Sequence, residues 1–177
     1  MTFGRMNPPT RGHEKLVDRV KELAGDGDHH VFVSGSHDPK RNPLNPKQKN
    51  SYLKSSFPGT NISQQPSAFH AMKKLHDDGY KDVTVVVGGD RTDEFERTVR
   101  PYVNHPNPDK SLGLDSFEVV SAGRRDPDAE GVVGMSASKM RAAATEGDFK
   151  SFRQGVPTTG SDRQARKLFD DVPFFFF

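Results

Sequence analysis

The sequence predicts an α/β fold in which helices cover both faces of a doubly wound parallel sheet. Short β-rich runs alternate with helical patterns along the 177 residues, which is the order that βαβ units produce. Residues 83–87 form an apolar run broken only by Thr84, as expected of a central strand buried on both faces. We therefore expect a single domain with a sheet of about five strands and residues 83–87 at its centre.

The predicted strands are short and rich in apolar or β-branched residues, and they cover residues 1–3, 31–35, 61–63, 83–87 and 116–121. The predicted helices have apolar residues at helical spacing, mostly with glycine or proline at their ends, and they cover residues 14–23, 47–57, 68–75, 92–99, 138–144 and 161–171. No internal repeat or domain linker interrupts this alternation.

The segment from Gly4 to His13 joins the first strand to the first helix and is the most informative part of the chain. A loop that runs into a helix start leaves backbone N–H groups unpaired, and the helix N-terminus carries a partial positive charge. Gly12 allows a ligand to approach the backbone closely. Thr10 and His13 lie one turn apart, so their side chains can meet on the same phosphate, and Thr10 also suits a helix N-cap. The segment predicts an anion site.

This segment resembles the first signature of the nucleotidyltransferase superfamily, G-x-F-x-P-x-[HT]-x-G-H. Met6 stands where Phe is usual, and Asn7 where Asp is frequent. The positions in register are Gly4, Pro8, Thr10, Gly12 and His13. Residues 135–141, Met-Ser-Ala-Ser-Lys-Met-Arg, are similar to the second signature, I-S-x-[ST]-x-x-R. Thr in place of the first His is the form found in phosphopantetheine adenylyltransferases.

The resemblance covers roughly residues 1–157 and implies a Rossmann-like domain there. Residues 158–177 lie beyond it, and their sequence predicts a charged helix and a Phe-rich tail. It implies transfer of AMP or CMP from ATP or CTP to a phosphorylated small-molecule acceptor, with release of pyrophosphate. ATP is favoured because the Thr-x-Gly-His form and the Gly-Arg opening resemble adenylyltransferases. Mg²⁺ is expected to bind through the triphosphate, and no metal held by His29, His30 or His37 is expected.

The resemblance assigns three residues to catalysis. His13 would donate a hydrogen bond to the α-phosphate, Thr10 would contact the same phosphates, and Arg141 would hold the leaving pyrophosphate with its planar fork. Ser138 is expected to cap the following helix, and Lys139 to be solvated. The implied nucleotide-binding residues are Gly4, Arg5, Met6, Asn7, Gly12, Gly89, Asp90, Ser136 and Ser138.

Further polar residues follow the second, fourth and fifth predicted strands, where ligands bind in open α/β sheets. Asp90 either accepts from a ribose hydroxyl or caps the helix that starts near Thr92. The implied acceptor-binding residues are Lys40, Arg41 and Arg91, although a solvated loop also explains Lys40 and Arg41. Residues 124–125, Arg-Arg, are a further cationic candidate.

Composition limits the partners and the compartment. With 26 basic and 24 acidic residues the net charge is +2, and no long basic stretch stands out, so nucleic-acid binding is not expected. There is no cysteine, which is compatible with a reducing cytoplasm. No signal peptide and no membrane-spanning apolar run is recognised, so we expect a cytoplasmic protein that does not enter a membrane.

Two alternatives to an active nucleotidyltransferase stay open. One is a catalytically weak or inactive nucleotide-binding module with an assembly role, which the substitutions at Met6 and Asn7 favour. The four phenylalanines of residues 174–177 would then dock on a second copy or a protein partner, although they also suit a tip folded onto its own body or a non-native terminus. The other is a kinase, against which the missing G-x-x-x-x-G-K-[ST] motif argues.

Overall fold

The computed structural model describes residues 1–89, 91–123 and 135–172. Parallel strands alternate with helices in this part of the chain, so the α/β prediction is confirmed. The strands are β1 (Thr2–Gly4), β2 (His30–Val33), β3 (Asn61–Gln64), β4 (Asp82–Val87) and β5 (Ser116–Ser121). The α-helices are α1 (Arg11–Ala24), α2 (Pro46–Ser56), α3 (Ala68–Asp77), α4 (Thr92–Val99), α5 (Ala137–Thr145), α6 (Phe149–Gly155) and α7 (Asp162–Asp171).

The strands do not form the single five-stranded sheet that the sequence predicts. Parallel β1, β2 and β3 form one sheet in the order β1-β2-β3, and parallel β4 and β5 form another. The two sheets meet where β1 passes β4. There the Val86 N–H donates to the Met1 carbonyl at 2.8 Å, and the Met1 nitrogen donates to the Thr84 carbonyl at 2.6 Å. These bonds flank Val85 as a parallel pairing does, but three-residue β1 does not continue them into a ladder.

Helices cover both faces of β2. Val31 and Val33 pack with Val17 of α1 and Leu53 of α2, whereas Phe32 belongs to the core cluster on the opposite side. This division follows from the alternation of side chains along a strand. In β4, Val83 and Val85 are buried in the same cluster as Phe32, and Val85 is fully buried as predicted for a central strand.

A further core cluster joins the helices that follow β5. Met140 of α5, Phe152 of α6 and Phe169 of α7 are buried together, and Leu44 from the loop before α2 packs with them. Helix α7 confirms the helix predicted over residues 161–171. The cluster therefore contains side chains from both sides of the predicted boundary at residue 157.

The Phe-rich segment 174–177 and the Arg-Arg pair 124–125 lie outside the described residues. Within the part of the chain that is described, no helix is long and apolar enough to cross a membrane.

Candidate functional site

Three loops lie at the carboxyl ends of the strands, where the sequence predicts the site. Residues 5–10 follow β1, residues 34–45 follow β2, and residues 88–91 follow β4. Because the paired strands are parallel and β1 adjoins β4, these loops share one edge of the molecule.

Thr10 and His13 form the N-terminal cap of α1. The Thr10 Oγ1 accepts from the His13 N–H at 3.3 Å, and the Thr10 N–H donates to His13 Nδ1 at 3.1 Å. This reciprocal pair is a capping box, so the predicted N-cap at Thr10 is confirmed. Since Nδ1 accepts a hydrogen bond, the neutral imidazole carries its proton on Nε2. The helix start thus fixes both the tautomer and the orientation of His13.

Asn7 holds the loop after β1 against the loop after β2. Its Nδ2 donates to the Leu44 carbonyl at 2.9 Å, and its Oδ1 accepts from the Leu44 N–H at 3.0 Å. The side chain is buried, and these bonds mimic one rung of a β-ladder. The predicted nucleotide-binding side chain therefore has a structural task, and the Asn7 carbonyl turns towards Arg141.

Arg141 connects the two motifs. Its Nη1 donates to the Asn7 carbonyl at 2.8 Å, and its Nη2 donates to the Ser138 Oγ at 3.0 Å. The residues lie 134 positions apart in the chain, so α5 docks on the loop after β1 through this guanidinium. Arginine has five N–H donors, and these bonds use two of them.

Positive charge accumulates around Arg141. Burial lowers the pKa of this half-buried guanidinium, and the charges of Arg5 and Arg41 lower it further, whereas Asp38 raises it. The backbone N–H groups of Arg41 and Lys40 donate to the Asp38 Oδ1 at 2.7 and 3.1 Å. The bonds from Arg41, from the Asn42 side chain and from Lys40 hold the pKa of Asp38 below its usual value. The charges of two predicted residues, Arg5 and Arg41, thus act on a third, Arg141. Lys40 lies exposed in the same turn as Arg41.

The helix cap predicted at Ser138 is wrong. Helix α5 begins at Ala137, and its N-cap is Ser136, whose Oγ accepts from the Lys139 N–H at 3.2 Å. Ser136 has the extended backbone that a cap requires, whereas Ser138 is already helical and accepts from Arg141 instead. Both serines still lie in the first turn of α5, whose N-terminus contributes positive potential beside Arg141.

The turn after β4 is placed at the same edge, with different tasks for its residues. A Cβ on Gly89 would lie 2.8 Å from the Ser121 Oγ and 3.1 Å from the Gly123 carbonyl, so the close approach of β5 explains this glycine. Arg91 is exposed and forms a 3.4 Å ion pair with Glu94. Arg91 also occupies the N-cap position of α4, which the sequence offers to Asp90. Asp90 itself lies outside the described residues.

The remaining predicted residues divide between core and surface. Met6 is buried with Val17 and Val31, and its φ of 46° lies in the left-handed region that non-glycine residues seldom adopt. Gly4 ends β1, and Gly12 is exposed in the first turn of α1. The Gly12 N–H belongs to the group of amides for which a helix has no internal partner.

Residues after α6 fasten the turn that carries His13. The Arg11 Nε donates to the Val156 carbonyl at 3.2 Å, and the Glu14 carboxylate accepts from the Thr158 N–H at 3.0 and 3.1 Å. These contacts flank His13 on both sides. Together with the bond from Arg141 to Asn7, these contacts connect the first motif to α5 and to the segment after α6.

The sequence does not indicate that Lys49 of α2 lies at this site. This side chain is only 1% exposed, and its Nζ donates to the Arg5 carbonyl at 3.2 Å and to the Ser34 carbonyl. Its place in the polar run of residues 47–50, Lys-Gln-Lys-Asn, gives no signal of burial.

No group of three histidine or acidic side chains in the described part of the chain could hold a metal. Asp38 is a carboxylate whose charge acts on Arg141, and it already accepts hydrogen bonds from Lys40, Arg41 and Asn42. Arginines and helix N-termini suit phosphate oxygens.

The chain matches no protein-family model, and a search of curated proteins finds no match.

Proposed function

We propose that this protein is a nucleotidyltransferase that moves AMP, or else CMP, from a nucleoside triphosphate to a phosphorylated small-molecule acceptor. The observation that carries the proposal is the hydrogen bond from Arg141 to the Asn7 carbonyl. Asn7 belongs to the first motif and Arg141 to the second, so the bond joins the two motifs. The loop that contains Asn7 leads into α1, and α1 contains His13. The bonds between Met1 and β4 bring the carboxyl ends of both parallel sheets to the same edge of the molecule, which supports the proposal.

The reaction needs little beyond positioning and neutralisation of charge. A phosphate oxygen of the acceptor forms a bond to the α-phosphorus, and the bond from that phosphorus to the bridging oxygen of pyrophosphate breaks. The His13 Nε2–H would donate to the α-phosphate as its charge grows, and the start of α1 adds its dipole. Arg141 and Arg5 would neutralise the leaving pyrophosphate. Lys40 and Arg41 would face the acceptor phosphate, and Mg²⁺ would enter on the triphosphate.

Product analysis tests this proposal. The full chain is incubated with ATP or CTP, Mg²⁺ and a panel of phosphorylated metabolites, and pyrophosphate release is measured beside mass spectrometry of the products. We expect one pyrophosphate for each nucleotide-linked product. ADP as the product would indicate a kinase. Tight ATP binding without turnover across the panel would favour the inactive nucleotide-binding module.

A further inference from the structure

Lys49 places an ammonium group in the interior, at the edge of the sheet where the candidate site lies. Arg5 follows β1 and Ser34 follows β2, and the Lys49 Nζ donates to the carbonyls of both. The side chain reaches them from α2, whose Leu53 packs with Val33 of β2. One ammonium thus fastens the carboxyl ends of two neighbouring strands.

The charge of Lys49 is not balanced by the described residues. An ammonium in the interior costs free energy unless an opposite charge compensates it. Both hydrogen-bond acceptors are neutral carbonyls, and none of the ion pairs in the described part of the chain includes Lys49. Burial lowers the pKa of Lys49 to about 8, so the amine is mostly charged at neutral pH.

The loop that Lys49 holds carries the donors assigned to phosphate. Arg5 supplies one carbonyl to Lys49, and its side-chain charge acts on Arg141. Asn7, two residues further on, accepts from Arg141. The Lys49 ammonium is bonded to the backbone of this loop, and its positive charge is stabilised when an anion binds to the same loop.

We propose that Lys49 is a positioning residue of a polyphosphate-binding site. It would hold the first residue of the anion-binding loop in place and supply positive charge behind it, so that affinity for pyrophosphate depends on the ammonium. This inference rests on the proposed function, because that proposal places polyphosphate at this loop.

The test compares Lys49→Met with Lys47→Met in the full chain. Met has a similar length and volume but no charge, and Lys47 is an exposed lysine of the same helix. Binding of inorganic pyrophosphate is measured by calorimetry, and thermal unfolding is recorded for each variant. We expect Lys49→Met to lose at least about tenfold in affinity and Lys47→Met to lose less than about twofold.

Two further variants separate charge from packing. Lys49→Arg keeps the charge and is expected to retain affinity, whereas Lys49→Gln keeps hydrogen-bond donors without charge and is expected to lose it. These two decide the matter if Lys49→Met does not fold. A lower melting temperature in Lys49→Met or Lys49→Gln with unchanged pyrophosphate affinity would show a purely structural lysine and overturn the inference.

The outcome is separable from that of the proposed function. Suppose that the unaltered protein binds pyrophosphate, that Lys49→Met binds it more weakly, and that neither forms a nucleotide-linked product. In that case the inference about Lys49 stands and the transferase proposal fails. If the unaltered protein does not bind pyrophosphate, the polyphosphate site and the role of Lys49 both fail.

Discussion

At the scale of single residues, the helix cap orients the ring of His13. Nδ1 accepts from the Thr10 N–H and completes the capping box. Nε2 carries the proton of the neutral ring and is the nitrogen that would donate to the α-phosphate. A hydrogen-bond donor that is already oriented does not need to reorganise during the reaction, which is why such donors stabilise transition states effectively.

Replacement of His13 tests this assignment. We expect His13→Ala to lower the transfer rate by roughly 10² to 10³, as removal of one oriented transition-state donor does, with a smaller loss of ATP affinity. His13→Gln is the matched variant, because glutamine at this position can still accept from the Thr10 N–H and preserve the capping box. Steady-state rates near those of the unaltered protein in His13→Gln would remove the imidazole from the mechanism.

Arg141 is proposed to hold the leaving pyrophosphate. Its contribution to nucleotide affinity should therefore depend on how many phosphates the nucleotide carries. Arg141→Ala is expected to weaken ATP binding much more than AMP binding, because only ATP carries the β- and γ-phosphates. Calorimetric titration with both nucleotides measures the difference. Equal losses for ATP and AMP would indicate that Arg141 acts only by docking α5 on Asn7.

The separation along the chain between two contacting residues decides whether the sequence can predict their contact. Thr10 and His13 lie three residues apart, so the helix start alone predicts that they meet. The Asn7 side chain bonds Leu44, 37 residues away, and Lys49 bonds Arg5, 44 residues away. These partners are brought together only by the packing of the loops, so a motif cannot reveal that Asn7 is structural or that Lys49 is buried.

At the scale of elements, the first turn of α1 is the unit on which the site depends. Thr10 caps it, and Arg11 and Glu14 tie it to the Val156 carbonyl and to Thr158. Displacement of this turn would therefore move His13 relative to Arg141.

Loss of the cap measures this dependence. Thr10→Ala is expected to reduce the free energy of unfolding by about 1 kcal/mol, the usual cost of losing an N-cap, and also to reduce turnover. Ser67→Ala is the control, because Ser67 caps α3 in the same way, by accepting from the His70 N–H. Urea unfolding should show similar losses for both variants. Turnover that falls equally in both would argue against a special role for the α1 cap.

Local patterns predict most elements but not how they join. The apolar run of β4 and the spacing of α1 depend on neighbouring residues and are confirmed. Ser136 and Ser138 are equally good caps by residue type, and only the backbone conformation separates them. The expected continuous sheet fails because β1 has only three residues and meets β4 through few hydrogen bonds.

At the scale of the whole molecule, a hydrogen-bonded network lies at the amino ends of the strands, opposite the candidate site. His30 Nδ1 lies 3.0 Å from the Asn61 Nδ2, His30 Nε2 lies 3.4 Å from the Tyr80 hydroxyl, and that hydroxyl donates to the Asp28 carboxylate at 2.6 Å. Because the Asn61 amide donates to Nδ1, the network suits a neutral His30 with its proton on Nε2. It links β2, β3 and the loop before β4.

This network predicts a pH dependence of stability. Burial lowers the pKa of His30 below its ordinary value of 6.5. The unfolded chain therefore binds the proton at a higher pH than the folded chain does. The contribution of His30 is complete above the unfolded pKa and is lost as the pH falls through the folded pKa. Urea unfolding from pH 8 to pH 5 should show the stability difference between the unaltered protein and His30→Gln shrinking on acidification. A difference that grows would contradict the assignment.

The central claim is that the loop after β1 and the start of α5 form one nucleotide site. A crystal structure of the full chain with Mg²⁺ and the non-hydrolysable analogue α,β-methylene ATP tests it most directly. We expect the α-phosphate within hydrogen-bond distance of His13 Nε2 and the β- and γ-phosphates beside Arg141 and Arg5. Phosphates bound away from His13 and Arg141, or no nucleotide at this edge of the sheet at saturating concentration, would contradict it.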